Sequence, residues 1–309
     1  MGRISGFAGL AMAALLFAGA AAAQTRDENA ARCKDGSPDL AIGACTALIQ
    51  SGQETTEGVA IAFNNRANAY LAKNDTRHAL EDLAQALKLN PNYATAHYNR
   101  AIAYERLDQT QQAIDEYSAA IRIKADYVAA YNNRGSAYDD LGKEREAIAD
   151  YDKAIALQPD FGMAYNNRGV AYKNLGEYAR AIADYDVAIK LDGSKANRWN
   201  NRCWAKLLAD QPRSALPDCN QALKLRPGYG DANDGLGIIY LKAGKPAEAQ
   251  AKFDAAIKAD KTDAWALYGR GLAKHRRGDK AGGDADIAAA KKLGPKVAEV
   301  FARDYGLHE

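Results

Sequence analysis

The chain of 309 residues is long enough for two or three ordinary domains or for one extended repeat array. Its 41 basic and 39 acidic side chains leave a net charge of +2. A near-neutral chain has no positive footprint for gripping phosphates, which argues against nucleic acid as a main partner.

Residues 1–23 read as a secretory leader. Arg3 supplies the short positive start, Phe7 to Gly19 the apolar middle, and Ala21-Ala22-Ala23 the small residues before Gln24. Cleavage after Ala23 predicts a periplasmic or secreted product with no membrane insertion afterwards. The competing reading is an uncleaved anchor, because Ile4 to Ala23 approaches the length of a membrane span. No cysteine sits at the junction, so a lipid anchor is not supported. Beyond the leader, Pro38 to Ile49 read as one helix, followed by a polar linker over 50–58; residues 24–59 thus form an N-terminal half-repeat and linker.

From residue 60 a period of 34 residues takes over. Phe63-Asn64-Asn65-Arg66-Ala67 recurs as His97-Tyr98-Asn99-Arg100-Ala101, Tyr131-Asn132-Asn133-Arg134-Gly135, Tyr165-Asn166-Asn167-Arg168-Gly169 and Trp199-Asn200-Asn201-Arg202-Cys203. With two degenerate copies there are seven, beginning at 60, 94, 128, 162, 196, 230 and 264 and ending at 297. Each carries two apolar stripes at helical spacing; in the third, Tyr131, Gly135 and Tyr138 mark one helix and Ala147, Tyr151 and Ala154 the next. Leu141-Gly142 separates them, and Pro159 breaks the second helix. Residues 298–309, with Val300, Phe301 and Tyr305, read as a last helix covering the open end.

The pattern of aromatic, small residue, Tyr, Gly, Ala, aromatic, Ala and Pro resembles the tetratricopeptide repeat. Ala125, Gly193 and Lys261 replace the terminal Pro, and Gly283 replaces an Ala of the last copy. The resemblance implies an all-α fold, a right-handed α-solenoid of seven helix hairpins with an N-terminal half-repeat and a C-terminal capping helix. A single hairpin cannot bury both faces; a stack can.

Four cysteines in an exported chain suggest disulfides. Cys203 and Cys219 fall at facing sites of the fifth hairpin, within reach of a bridge. Cys33 and Cys45 flank Gly36 and Pro38, where the chain can fold back. The competing reading is four small buried thiols. No His or acidic cluster accompanies them, so no metal and no other cofactor is expected.

An acid also follows each seventh-position arginine by sixteen residues: Arg66 with Asp82, Arg100 with Glu116, Arg134 with Asp150, Arg168 with Asp184, Arg202 with Asp218 and Arg270 with Asp286. The sixth copy replaces both members, with Leu236 and Lys252. The expectation is an ion pair inside each hairpin; the alternative is inheritance by duplication alone.

By the family resemblance, the first helix of every copy lines a concave groove. That face would carry Asn65, Asn99, Asn133, Asn167 and Asn201, with Asn64, Asn132, Asn166 and Asn200 beside them. Amides at one-repeat spacing could hold the backbone of an extended peptide. Trp204, Leu207, Leu208, Ile238, Leu241, Trp265, Tyr268 and Leu272 would follow as an apolar pocket, unless they pack against the last helix. The four histidines, at 78, 97, 275 and 308, share no spacing with a nucleophile, so no enzyme is expected. The function read from these residues is a protein-interaction scaffold binding another protein or peptide, the alternative being a structural module that self-associates.

Overall fold

The structure is a computed structural model and describes residues 25–308. The leader expected over 1–23 lies outside the described residues. Among the described residues all regular structure is helical, and no helix is long and apolar enough to cross a membrane. They divide into two compact units, one ending at Leu141 and one beginning at Gly142. The division falls in the turn of the third copy, where the sequence reads as an uninterrupted array.

The first unit holds α1 (25–35), α2 (Pro38–Ser51), α3 (Thr56–Ala72), α4 (Thr76–Leu89), α5 (Ala94–Glu105), α6 (Thr110–Ile123) and α7 (Val128–Asp140). The N-terminal half-repeat therefore has a partner helix, α1, held against α2 by Cys33 and Cys45 at disulfide distance, Cα to Cα 4.8 Å. The linker is shorter than 50–58. Gly52, left-handed at φ 65°, ends α2, and Thr55 caps α3 by accepting from the Gly58 amide at 3.0 Å.

The second unit holds α8 (Glu144–Leu157), α9 (Gly162–Asn174), α10 (Tyr178–Leu191), α11 (Ala196–Leu208), α12 (Pro212–Leu225), α13 (Gly230–Lys242), α14 (Pro246–Ala259), α15 (Ala264–Arg276), α16 (Lys280–Leu293) and α17 (Val297–Tyr305). Gly306, at φ 64°, stops α17 short of the expected 309 and turns Leu307 back into the core.

One backbone device recurs in both units. The fifteenth residue of every copy is left-handed: Asn74, Asp108, Gly142, Gly176, Asp210, Gly244 and Gly278. Only glycine, asparagine and aspartate adopt that conformation cheaply, which explains the residue choice. Each first helix thereby ends and the chain doubles back.

Within a hairpin, the eighth and twenty-fourth residues meet and divide a fixed volume. In the fourth and sixth copies the second helix offers a ring and the first glycine: a Cβ at Gly169 would lie 2.7 Å from Tyr185, and one at Gly237 would lie 2.5 Å from Phe253, while in the second copy Tyr117 packs with the small Ala101. Leu83 faces Ala67 instead. In the fifth copy the same two sites are Cys203 and Cys219, at disulfide distance with Cα to Cα 5.5 Å. A fully buried Tyr or Phe at this site contributes roughly 1.5–3 kcal/mol by leaving water.

Candidate interaction site

Five of the expected arginine–acid pairs, those of Arg66, Arg100, Arg168, Arg202 and Arg270, are hydrogen-bonded within one unit. Arg66 grips Asp82 with two hydrogen bonds of 2.7 Å, and Arg270 grips Asp286 likewise. Arg168 and Arg202 hold Asp184 and Asp218 in the same fork. Arg100 donates once to Glu116, whose other oxygen meets His97 Nδ1 at 2.7 Å. Burial works to raise the Glu116 carboxyl, but the bonds from His97 and Arg100 outweigh it and hold the group below its ordinary range. The guanidinium also reaches back to the preceding hairpin: Arg202 to Asp186 at 2.6 Å and Arg270 to Asp254 at 2.9 Å. Sequence spacing gave the first partner and missed the second. Arg66, Arg168, Arg202 and Arg270 thus tie their own hairpins to the element before, Arg66 through Thr46, whereas Arg100 bonds only within its own hairpin among the described residues and the sixth copy substitutes a buried Leu236.

The asparagines do not form an open wall of amides. Asn64, Asn132, Asn166 and Asn200, at the fifth position, are buried, as is Asn99. Asn99 donates to Asn64 Oδ1 at 2.9 Å, and Asn201 donates to Asn166 Oδ1 at 3.2 Å, each across one repeat. Asn132 and Asn166 donate sideways to Asn133 and Asn167 at 3.1 and 3.2 Å, and Asn133 donates to the Tyr98 hydroxyl at 3.0 Å. Asn65 accepts weakly from Asn64, at 3.5 Å. The expectation that these amides face a guest is corrected for the buried ones: helices this closely stacked exclude water, so most of these amides bond to one another, although Asn200 Oδ1 has no partner among the described residues.

The apolar residues split in the same way. Leu207, Ile238, Leu241, Leu272 and Tyr268 are buried, and Tyr268 lies under Phe301 at 4.8 Å between ring centroids. For these the packing alternative holds: they share one buried cluster with Phe301 and Tyr305 of α17. Trp204, Leu208 and Trp265 are only half-buried. The two indoles meet edge to face at 6.1 Å, with Tyr305 6.0 Å from Trp265.

These three line a pocket of about 530 Å³ within the second unit, completed by Lys173, Asp231, Asp234, Asp263, Val300, Arg303, Asp304 and Tyr305. Its acids escaped sequence reading. Asp234 occupies the fifth position, where other copies carry asparagine, and that exchange was the available signal. Asp263 caps α15, accepting from the Trp265 and Ala266 amides at 2.9 and 3.0 Å. Asp234 is 4% exposed, and its Oδ1 has no hydrogen-bond partner among the described residues. Burial, with Asp263 and Asp231 adding to it, pushes its carboxyl up to about 9. At neutral pH it is therefore an acid that shares its proton with Asp263. Burial pulls Lys173 down, against the opposing charge of Asp231.

No curated protein sequence matches the chain significantly. Among solved structures, a tetratricopeptide repeat protein from Parabacteroides merdae aligns with a TM-score of 0.62 and 21% identity, over 80% of this chain and 98% of that one. The APC/C hetero-tetramer Cut9–Hcn1 gives 0.64 and 19%, over 79% and 48%. The C-terminal part of a repeat protein from Cytophaga hutchinsonii gives 0.60 and 20%, over 79% and 98%. Identities this low show a shared fold, an all-α solenoid. Tetratricopeptide repeat models match residues 128–161 and 163–195, TPR repeat models 67–108 and 106–142, and a further tetratricopeptide repeat model 206–272. With seven left-handed turns in register and models covering more than half its length, the chain belongs to the tetratricopeptide repeat family.

Proposed function

We propose that the chain is a protein-interaction scaffold without catalysis of its own, and that it holds its partner in the pocket of the second unit. The observation that carries this reading is the pair of half-buried indoles, Trp204 and Trp265, flooring an open pocket of about 530 Å³. Aromatic anchors in such a cleft supply much of the energy of protein interfaces. The asparagine row is assigned to the stack instead, since Asn99 bonds to Asn64 and Asn201 to Asn166 across one repeat. His78, His97 and His275 each lie against a nearby carboxylate, which suits a structural ion pair.

Two cysteine pairs at disulfide distance suit an oxidising compartment, in keeping with a periplasmic or secreted protein. The test is direct. The full chain is screened against an immobilised peptide array, and its mass is followed by light scattering. Peptide capture by a monomer that Trp204→Ala abolishes is the expected result. Capture unaffected by Trp204→Ala, or a closed oligomer that takes no peptide, would overturn the reading.

A further inference from the structure

The composition of the pocket says more than that it is apolar. Its floor and walls are Trp204, Leu208, Trp265 and Val300, and its rim carries the carboxylates Asp231, Asp234, Asp263 and Asp304 with Lys173 and Arg303. Arg303 is already spent on Asp304, its neighbour, at 2.5 and 2.9 Å. That leaves three carboxyl groups facing one lysine. Asp263 has an oxygen engaged in the cap of α15, whereas Asp234 is held in the interior with Oδ1 unpartnered among the described residues. A buried acceptor left unmet is costly, and structures rarely keep one without a use.

We propose that this pocket receives a lysine or arginine side chain of a partner polypeptide, its apolar stem lying along Trp204 and Trp265 and its charged head meeting Asp234 and Asp231. The inference rests on the scaffold reading above and deepens it. An alkyl stem matches the indole walls, and a cation is attracted to both the ring faces and the carboxylates. An anionic guest would face an excess of negative charge. A bare metal ion would find indole walls where it needs further oxygen ligands.

Binding moves a proton. Asp234 holds one at neutral pH because it is buried and faces Asp263 and Asp231. An entering cation favours the carboxylate, so the proton leaves Asp234 for solvent as the ion pair forms, and no other bond changes. Affinity therefore rises with pH as it approaches about 9. The other titratable or charged groups facing this site are Lys173 from α9, Asp231 from α13, Asp263 at the start of α15, and Arg303, Asp304 and Tyr305 from α17. Lys173, pulled down by burial, loses its competing charge in the same direction.

The experiment uses the full chain and the immobilised peptide array, followed by calorimetry on the strongest binder and on versions with its basic residue replaced by norleucine or glutamate. The expected result is enrichment of peptides with a central lysine or arginine, and a loss of about tenfold or more on replacement by norleucine. Asp231→Asn weakens binding several-fold, and Asp234→Asn flattens the rise of affinity with pH for an arginine peptide, leaving the smaller part that comes from Lys173. Peptides captured without a basic residue, or bound equally with norleucine, overturn the cationic pocket and leave the scaffold reading standing. Capture of no peptide at all overturns both.

Discussion

In the first unit and in the last three copies of the second, the same hairpin is used to opposite ends. Asn64, Asn99 and Asn132 bury their amides, and with the half-buried Asn133 they bond to one another or to Tyr98. The fifth position of the sixth copy holds Asp234 instead, buried with an unmet oxygen beside an open aromatic floor. The first unit spends these asparagine amides within the stack, and the sixth copy leaves a carboxyl oxygen open toward a pocket. A repeat architecture can thus be structurally complete in one stretch and receptive in another while its backbone stays the same.

The largest effect comes from uncovering the receptive region. Phe301→Ala should cost about 3–5 kcal/mol of stability and shift tryptophan emission to the red, because Trp265 and Tyr268 lose the ring above them. A melting curve with fluorescence reads both. Next, replacing Cys203 and Cys219 together by serine should cost about 3 kcal/mol, the entropy of a loop closed over 16 residues. Denaturant titration without reductant checks it.

The remaining two substitutions have opposite signs and so sharpen the contrast. Asn99→Ala leaves Asn64 Oδ1 without its donor and should destabilise by about 1–3 kcal/mol, with no effect on peptide binding. Asp234→Asn should stabilise at pH 8 by about 1–3 kcal/mol. The native carboxyl is raised to about 9, so its contribution to folding is fully present below the unfolded carboxylate range. That contribution is lost progressively as pH climbs toward the folded value. The advantage of the variant should accordingly vanish near pH 4, and melting temperatures of both proteins across that span measure it.

Much of the fold was legible because the repeat forces it. The left-handed fifteenth residue, the eighth and twenty-fourth sites that share volume, and the arginine–acid spacing all leave periodic marks. The register of Arg66 against Asp82 follows from helix geometry alone. What periodicity could not tell was the depth of each face. Asn132 and Asn133 are adjacent and alike in chemistry, yet one is buried and the other half-exposed, since stacking across repeats decides the matter. The helix α1 escaped notice because it belongs to no complete copy. Asp234 and Asp231 were passed over because they stand where the pattern degenerates.

The central claim is a division of labour: amides hold the stack and the acidic, aromatic pocket holds the guest. Peptide affinity measured side by side in Asn65→Ala/Asn133→Ala and in Asp231→Asn tests it most directly. The account predicts unchanged affinity in the first protein and a several-fold loss in the second. Lost affinity in the asparagine variant with full binding in Asp231→Asn would contradict it.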